Sequence, residues 1–556
     1  MGHRWLAAYP DGIDWAAPLP ARRLDTLIDE AAARWPDKVG FHFYGRDFTY
    51  AQMRDLAARV AKGLQALGVR PGTQVGLHLP NAPHYVACFF GALKAGARVV
   101  NFSPLYAERE IRHQIEDSET DVLLTFDFAP LFPQARRQLG ATRLKHLVVC
   151  SLGDVLPPPV VQAMAVPTAP MQGGETTFAA LTANDGAFQP WTPGALEDEV
   201  AVLQYTGGTT GVPKGAMLTH ANISAAMEQS RLWSSGVMEE GRERTLGILP
   251  LFHVFGMTVV MLGAVHRGAE LTLHLRFDPE RVLKDIAARR ITQISGVPTM
   301  YMALLAHPRL REFDLSSLKF CTSGGAPLPV DVLTRFQELT GLMMNEGYGL
   351  TETSPAATSL PLRGKRPPGS IGQPMPGTVI EIRDLDTGER ALPPGEKGEI
   401  CIKGPQVMKG YWKKPAETAK ALAGGFLHTG DVGIMTEDGF IYLVDRIKDL
   451  ILSGGFNVYP RVVEEAIHEH PAVAEVIVIG IPDAYRGQAA KAFVKLAAGA
   501  SLTFEELKSF LADRLGRHEM PAEMELRDEL PRTPVGKLSR KELVAEDAAR
   551  RAAQPA

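Results

Sequence analysis

The sequence predicts an α/β fold class: a large N-terminal domain of layered α/β subdomains plus a small β-rich subdomain, followed by a small mobile C-terminal α+β domain. Three observations predict it. Short apolar runs alternate with helical patterns from Val75 onward, as in layered domains with largely parallel strands. Between Gly364 and Gly410 the texture turns to short strand-like runs set off by Gly and Pro. After Asp445-Arg-Ile-Lys-Asp449 it changes again, to one mixed unit. At 556 residues the chain is also too long for a single core.

Taken in order, Leu24, Leu27, Ile28, Ala31 and Trp35 recur at helical spacing, and Thr49 caps a second helix that ends near Gly68. Val75–Leu79, Arg98–Phe102 and Asp121–Phe126 read as strands. Between them, His84–Lys94 and Ala107–Asp117 read as helices, on which His84 and His113 are packed or solvated rather than catalytic. Residues 157–194, rich in Pro, Ala, Gly and Thr, form an irregular connection. Further strands are expected at Val200–Gln204, Gly215–Thr219, Thr245–Leu249, Glu270–Leu273, Ile291–Ile294 and Lys319–Thr322. Asn222 opens a helix, and an apolar helix runs from Gly256 to Val265. In the C-terminal part, helices at Arg461–His468 and Phe504–Leu515 accompany strands at Val473–Ile479 and Ala492–Leu496, and residues beyond Lys541 fray. The domain boundary is placed at Lys448, giving domains 1–447 and 448–556.

Composition excludes several classes. A formal net charge of −4 and the absence of a long basic run argue against a nucleic-acid binder. Cys88, Cys150, Cys321 and Cys401 are widely spaced with no CxxC pair, so reduced, buried thiols are expected, not a disulfide framework or zinc knuckle. The N-terminus lacks a signal-peptide core and no long apolar span occurs. The expectation is a cytoplasmic protein, with peripheral contact at the inner membrane left open.

The stretch Tyr205-Thr-Gly-Gly-Thr-Thr-Gly-Val-Pro-Lys-Gly215 carries four glycines, three threonines and one lysine in eleven residues. Backbone N–H groups, hydroxyls and a flexible cation can thus surround a polyphosphate. It is not a Walker loop, because Pro213 precedes the lysine and a strand, not a helix, follows. The competing reading is a glycine-rich hairpin turn, which requires neither the threonines nor the lysine.

Seven segments stand in a fixed order: TGGTTGVPKG, LPLFHVFGM, SGGAPLP, YGLTET, HTGD, DRIKDLILSGGFNVYP and PRTPVGKLSR. Together they resemble the adenylate-forming superfamily of acyl-CoA synthetases, luciferase-like enzymes and peptide-synthetase adenylation domains, over about Thr49 to Lys541. Asn101-Phe-Ser-Pro-Leu-Tyr106, the pair Gly207-Gly208 and Gly455-Phe-Asn-Val-Tyr459 are most similar to bacterial medium- to long-chain fatty-acid CoA ligases. The resemblance implies ATP-dependent activation of a fatty acid to acyl-AMP with release of pyrophosphate, then transfer to coenzyme A with release of AMP. Its cofactors are ATP and Mg2+, with coenzyme A as co-substrate.

The same resemblance implies roles. Thr206, Gly207, Gly208, Thr209, Thr210, Gly211 and Lys214 would wrap the phosphates, with Glu352 and Thr206 holding Mg2+. Gly324, Gly325 and Ala326 would line the adenine, with Tyr348 against the ring and Gly349 and Thr351 beside the nucleotide. Asp431 would accept hydrogen bonds from both ribose hydroxyls, and Arg446 would reach ribose or phosphate. Lys537 would bridge the carboxylate and the α-phosphate. His253 would sit where acyl and coenzyme A paths meet. Lys448 would be the pivot, and Gly454 and Gly455 would line the coenzyme A approach.

Each role has a structural competitor: a capping acid for Glu352, a core tyrosine for Tyr348, a solvated lysine for Lys537, a packed histidine for His253. Two positions depart from the family pattern. Gly207 replaces the usual serine, and Val462 stands where an acid is common, while Glu464 remains. Two alternatives stay open: a CoA ligase for a dicarboxylic or aromatic acid, and a non-catalytic acyl- or nucleotide-binding protein on the same scaffold. An acyl-AMP ligase serving a carrier protein is disfavoured by the Ser453-Gly-Gly455 glycines. Oligomeric state is not legible.

Overall fold

The computed structural model describes residues 3–206, 213–326, 328, 330–453, 456–483, 486–533 and 538–552. The chain divides into two compact units, one of residues 1–379 with 403–427 and one of residues 380–402 with 428–556.

The first unit is built on two large sheets. The nine-stranded sheet runs, in spatial order, Gln373–Pro374, Thr358–Ser359, Asn345–Tyr348, Phe320–Ser323, Gln293–Gly296, Arg244–Gly247, Glu270–Leu273, Val39–Phe43 and Arg46–Thr49. Its middle six strands are parallel and its edges antiparallel. The eight-stranded sheet runs Gly410–Tyr411, Gly215–Thr219, Val200–Tyr205, Arg98–Asn101, Gln74–His78, Thr120–Phe126, His146–Cys150 and Thr176–Thr177. Parallel strands between helices need near-continuous apolar runs, and Gln74–His78 and Val200–Tyr205 are buried at every position.

Local sequence explains the elements between them. Thr49 accepts a hydrogen bond from the Gln52 backbone N–H while the Gln52 side chain returns one to Thr49, a reciprocal cap that starts the helix Tyr50–Ala66. Such a cap stabilises by about 1 kcal/mol. Pro83–Lys94 is apolar around its whole circumference and is accordingly buried throughout. His84 lies inside that helix with its ring edge-on to Phe126 and Phe178 and its Nε2 3.3 Å from Asp154, a packed histidine as expected. Asn81 ties the two sheets together. Its amide donates to the Gly247 and Leu249 carbonyls and its oxygen accepts from the Leu251 N–H. Losing it would strand buried backbone groups at about 1–3 kcal/mol each.

Three local expectations are corrected. Thr219, not Asn222, caps the helix His220–Trp233; Asn222 sits one turn in and completes the capping box. The apolar helix expected from Gly256 begins as a π-helical segment, Phe255–Leu262, before Gly263–Arg267. The tail expected to fray beyond Lys541 forms the helix Arg540–Ala552. Much of its charge is paired. Asp547 meets the buried Lys491 at 2.6 Å, Arg551 meets Glu523 at 2.8 Å, and Leu543 is packed with Ile477, Ile479 and Phe493.

The second unit contains a four-stranded sheet, Val379–Arg383, Gly398–Lys403, Leu427–Met435 and Ile441–Arg446, which is the β-rich texture anticipated after Gly364. It also contains a five-stranded sheet around the long hairpin Val473–Asp483 and Gly487–Leu496, covered by Pro460–His468 and Phe504–Leu511. Among the described residues no helix is long and apolar enough to cross a membrane, and all four cysteines are free and buried.

Candidate active site

The glycine-threonine loop hangs between two antiparallel strands. Val200–Tyr205 pairs with Gly215–Thr219 so that Tyr205 faces Gly215, and the Thr206 N–H donates to the Lys214 carbonyl at 3.0 Å. Thr206 and Lys214 therefore flank the loop from opposite strands, while Gly207, Gly208, Thr209, Thr210 and Gly211 lie outside the described residues. Tyr205 anchors the base of the hairpin by donating to Asp117 at 2.6 Å.

A third strand, only two residues long, completes this corner. Gly410 pairs with Met217 and Tyr411 with Ala216. Tyr411 donates its hydroxyl to Glu352 Oε1 at 2.8 Å, and the Lys214 ammonium lies 4.5 Å from the centre of the same ring. The Met408 N–H donates to the Glu352 carbonyl at 2.8 Å, and the Trp412 N–H to the Gly215 carbonyl at 2.8 Å. Burial, then the charge on Glu352, pushes the Tyr411 phenol well above its ordinary pKa, so it stays a donor. Sequence reasoning missed Tyr411. Its only local signal is Gly410, whose φ of 149° and lack of a side chain let Thr418 pack where a Cβ would come within 2.6 Å of it.

Glu352 stands in the short turn Thr351–Thr353, and no described cation lies within ion-pair distance of it. One oxygen of this half-buried carboxylate is held by a neutral donor, the Tyr411 hydroxyl. Together with the Thr206 hydroxyl the carboxylate offers hard oxygen donors of the kind Mg2+ takes, so these residues fit that ion.

The two other loop motifs leave neighbouring parallel strands at one edge, where such sheets hold ligands. Phe320–Ser323 runs into Gly324, Gly325 and Ala326, and Asn345–Tyr348 runs into Gly349, with Thr322 paired to Asn345 and Ser323 to Glu346. Tyr348 is half-buried at this edge, its carbonyl accepting from the Ala357 N–H at 2.9 Å. Gly349 has no alternative, since a Cβ would fall 1.7 Å from the Pro355 carbonyl oxygen. Gly324 lies under Phe255, two residues beyond the half-buried His253, and a Cβ there would meet the Phe255 ring at 3.0 Å.

In the second unit, Asp431 and Arg446 face each other across antiparallel strands, Arg446 Nε lying 3.0 Å from Asp431 Oδ1. Asp431 is 2% exposed. The segment before it is braced from the strand Gly398–Lys403. Glu399 accepts from the Gly430 N–H with Oε1 at 2.8 Å and contacts His428 Nδ1 with Oε2 at 2.8 Å. Thr429 donates to the Ile400 carbonyl at 2.7 Å and accepts from the Asp431 N–H at 3.0 Å. Glu399, Cys401 and His428 bring ligand atoms within 4.8 Å of one another, but the carboxylate and the thiol approach the same Nδ1, and burial first, then Glu399, pushes the thiol pKa upward.

Lys448 lies in the single turn Ile447–Asp449 directly after Arg446. Gly454, Gly455 and Lys537 lie outside the described residues. Among the described residues of this unit, Glu464 accepts from the Val478 N–H at 2.7 Å and pairs with Arg540 at 2.6 Å, while Arg540 reaches Asp449 at 3.3 Å. Val462 packs with Val432, Val444 and Tyr459. An apolar side chain suits that cluster where an acid would not.

Comparison with known proteins matches this arrangement over its length. A family profile described as AMP-binding enzyme covers residues 28–412, and one for the AMP-binding enzyme C-terminal domain covers residues 462–537. The chain is 44% identical to a long-chain-fatty-acid–CoA ligase of Bacillus subtilis, covering 98% of both chains. It is 37% identical to a feruloyl-CoA synthase of an Amycolatopsis species, over 91% of this chain and 96% of that one. In structure it is similar to ATP-bound MatB from Rhodopseudomonas palustris, with a TM-score of 0.83, 29% identity, and coverage of 94% and 98%. The chain belongs to the AMP-binding, adenylate-forming enzyme family.

Proposed function

We propose that this protein is a long-chain fatty-acid CoA ligase, activating the fatty acid with ATP to acyl-AMP and pyrophosphate and then forming acyl-CoA and AMP. The end-to-end likeness to the Bacillus subtilis ligase supports the substrate class. The observation that carries the chemistry is the corner where Lys214 and Glu352 meet Tyr411 beside the loop.

Acyl-adenylate formation joins two anions, so catalysis consists largely of holding them in line and balancing their charge. Lys214 and the loop donors hold the β- and γ-phosphates. Glu352, with Thr206, holds Mg2+, which supplies charge neutralisation and orientation of the phosphate oxygens. Gly324 to Ala326, Tyr348 and Gly349 seat the adenine, with Thr351 beside it, and Asp431 accepts the ribose hydroxyls while Arg446 holds its carboxylate in place. Lys537 bridges the fatty-acid carboxylate and the α-phosphate. In the second half-reaction Gly454 and Gly455 line the coenzyme A approach, His253 marks the meeting of acyl and thiol paths, and Lys448 absorbs the backbone rotation that exchanges the two faces. Peripheral contact with the inner membrane fits a substrate that partitions into lipid.

The feruloyl-CoA synthase relative favours one second reading, an aromatic acid as substrate. Pyrophosphate release across a panel of acids, with and without coenzyme A, separates the two. Each buried CH2 contributes about 0.8 kcal/mol, so kcat/KM rises roughly fourfold per methylene up to the length of the pocket. A C12 or C16 acid should exceed acetate and ferulate by more than about 100-fold. Ferulate or acetate matching the C12 acid would overturn the fatty-acid assignment.

A further inference from the structure

Tyr411 touches both charged groups of the phosphate corner, and the reading above gives it no role of its own. Its hydroxyl donates to Glu352 Oε1 at 2.8 Å, and its ring face lies 4.5 Å from the Lys214 ammonium. Glu352 and Lys214 are thus neighbours through Tyr411, yet no ion pair forms between them within 4.0 Å. A direct ion pair between them would consume the cation intended for the phosphates and the anion intended for the metal. The tyrosine offers each a weaker, neutral partner instead: a single hydrogen bond for the carboxylate and a π face for the ammonium.

We propose that Tyr411 is a positioning residue for metal binding, orienting the Glu352 carboxylate through Oε1 so that Oε2 is presented to Mg2+, while its ring holds Lys214 apart from that carboxylate. This rests on the reading of Glu352 as the Mg2+ carboxylate. Three further features support it. Tyr411 is 8% exposed, so its hydroxyl has little water to turn to in place of Glu352. Its backbone is fixed by pairing to Ala216, next to Gly215 and two residues from Lys214. The Glu352 backbone is held by the same segment, through the Met408 N–H. Both ends of the Tyr411–Glu352 hydrogen bond are therefore set by one short segment, residues 408–411. Hydrogen-bonded partners of metal-ligating carboxylates contribute about 10- to 100-fold to metal affinity.

The test is Mn2+ binding, followed by electron paramagnetic resonance in the presence of α,β-methylene-ATP, on the full chain and on Tyr411→Phe, Tyr411→His and Glu352→Gln. Tyr411→Phe keeps the ring and removes one oxygen. It should weaken Mn2+ about tenfold, raise the Mg2+ concentration giving half-maximal turnover by a similar factor, and leave the melting temperature and the analogue's affinity at saturating metal unchanged. Tyr411→His, which restores an N–H donor, should recover part of the loss. Mn2+ affinity within twofold of wild type in Tyr411→Phe, with Glu352→Gln still defective, would overturn the role of Tyr411 alone. Unchanged metal affinity in Glu352→Gln would overturn the reading of Glu352 and the proposal with it. A lowered melting temperature in Tyr411→Phe with unchanged metal affinity would show a purely structural tyrosine.

Discussion

Two carboxylates of this chain, Glu352 and Asp431, are both proposed to serve the nucleotide, yet their surroundings are opposite. Glu352 accepts one hydrogen bond from a neutral phenol and has no described cation within ion-pair distance. Asp431 is buried, opposed in register by Arg446, with the guanidinium 3.0 Å away. A described cation faces the second carboxylate and, among the described residues, none faces the first. A charge left over suits a divalent cation, whose binding depends on the net negative charge of its donor set. A carboxylate already opposed by a cation suits a neutral diol, which needs acceptor oxygens and would gain little from a bare anion. The proposed division of labour follows from the partner each carboxylate has been given.

The largest effect follows from removing the unbalanced charge. Glu352→Gln keeps the shape and the acceptor for Tyr411 but deletes the anion. Turnover at physiological Mg2+ should fall by a factor on the order of 10²–10³, and added Mg2+ should restore part of it. Stability should change by less than about 1 kcal/mol, because no partner is left with an unpaired charge. A Mg2+ titration and a urea melt check both halves. An activity loss that no Mg2+ concentration relieves, together with a wild-type Mg2+ midpoint, would place Glu352 with Asp431 as a mere acceptor and end the contrast.

The sequence made one side of this comparison far more legible than the other. Motif order and strand ends placed Tyr348 and Gly349 beside Gly324 and Gly325, because parallel strands deliver their loops to a common edge and that rule needs only local patterns. The hairpin that carries Thr206 and Lys214 was equally readable from Pro213 and the apolar run after Gly215. Tyr411 was not, since its strand is two residues long and its partner Glu352 is 59 positions away. No periodicity exists at that length, and sequence separation hides the contact. Glu399 escaped for a similar reason. Short strands were anticipated in this stretch, but the register of Gly398–Lys403 against the strand carrying Asp431 decides which of its side chains reaches Gly430. The helix Arg540–Ala552 was misread because composition alone does not reveal that Lys491 and Glu523, from other strands, complete its charges. Val462 shows the converse. A departure from the family pattern looked like a lost acid until the apolar cluster around it was visible.

A second, smaller effect tests the balanced carboxylate. Asp431→Asn retains one acceptor oxygen and exchanges the other for a donor, so one of two charge-assisted hydrogen bonds to the ribose is lost. Each such bond contributes about 1.5–3 kcal/mol, which predicts a rise in the KM for ATP of roughly 10- to 100-fold. The Mg2+ midpoint measured at saturating ATP should not move. Steady-state titrations of ATP at fixed free Mg2+, and of Mg2+ at fixed ATP, give the two numbers independently. A shifted Mg2+ midpoint with an unchanged KM for ATP would invert the assignment of the two acids.

The smallest effect concerns how Asp431 is held in place. Glu399 spans two groups of the preceding segment, the Gly430 N–H through Oε1 and His428 Nδ1 through Oε2. Gln at this position has a single carbonyl oxygen, so it can satisfy one of the two and must turn its amide N–H toward the other. Asp431 nevertheless keeps the Thr429 hydroxyl on its N–H, the Thr429–Ile400 bond and the opposing Arg446. With three of the constraints intact, Glu399→Gln should raise the KM for ATP only about two- to fivefold and cost about 1 kcal/mol of stability, the net value of one buried hydrogen bond. The Mg2+ midpoint, which depends on the other carboxylate, should stay fixed. A KM increase equal to that of Asp431→Asn would mean that the placement of the turn, and not the lone pairs of Asp431, limits ribose recognition; the contrast between the two acids would then be one of scaffolding and not of charge.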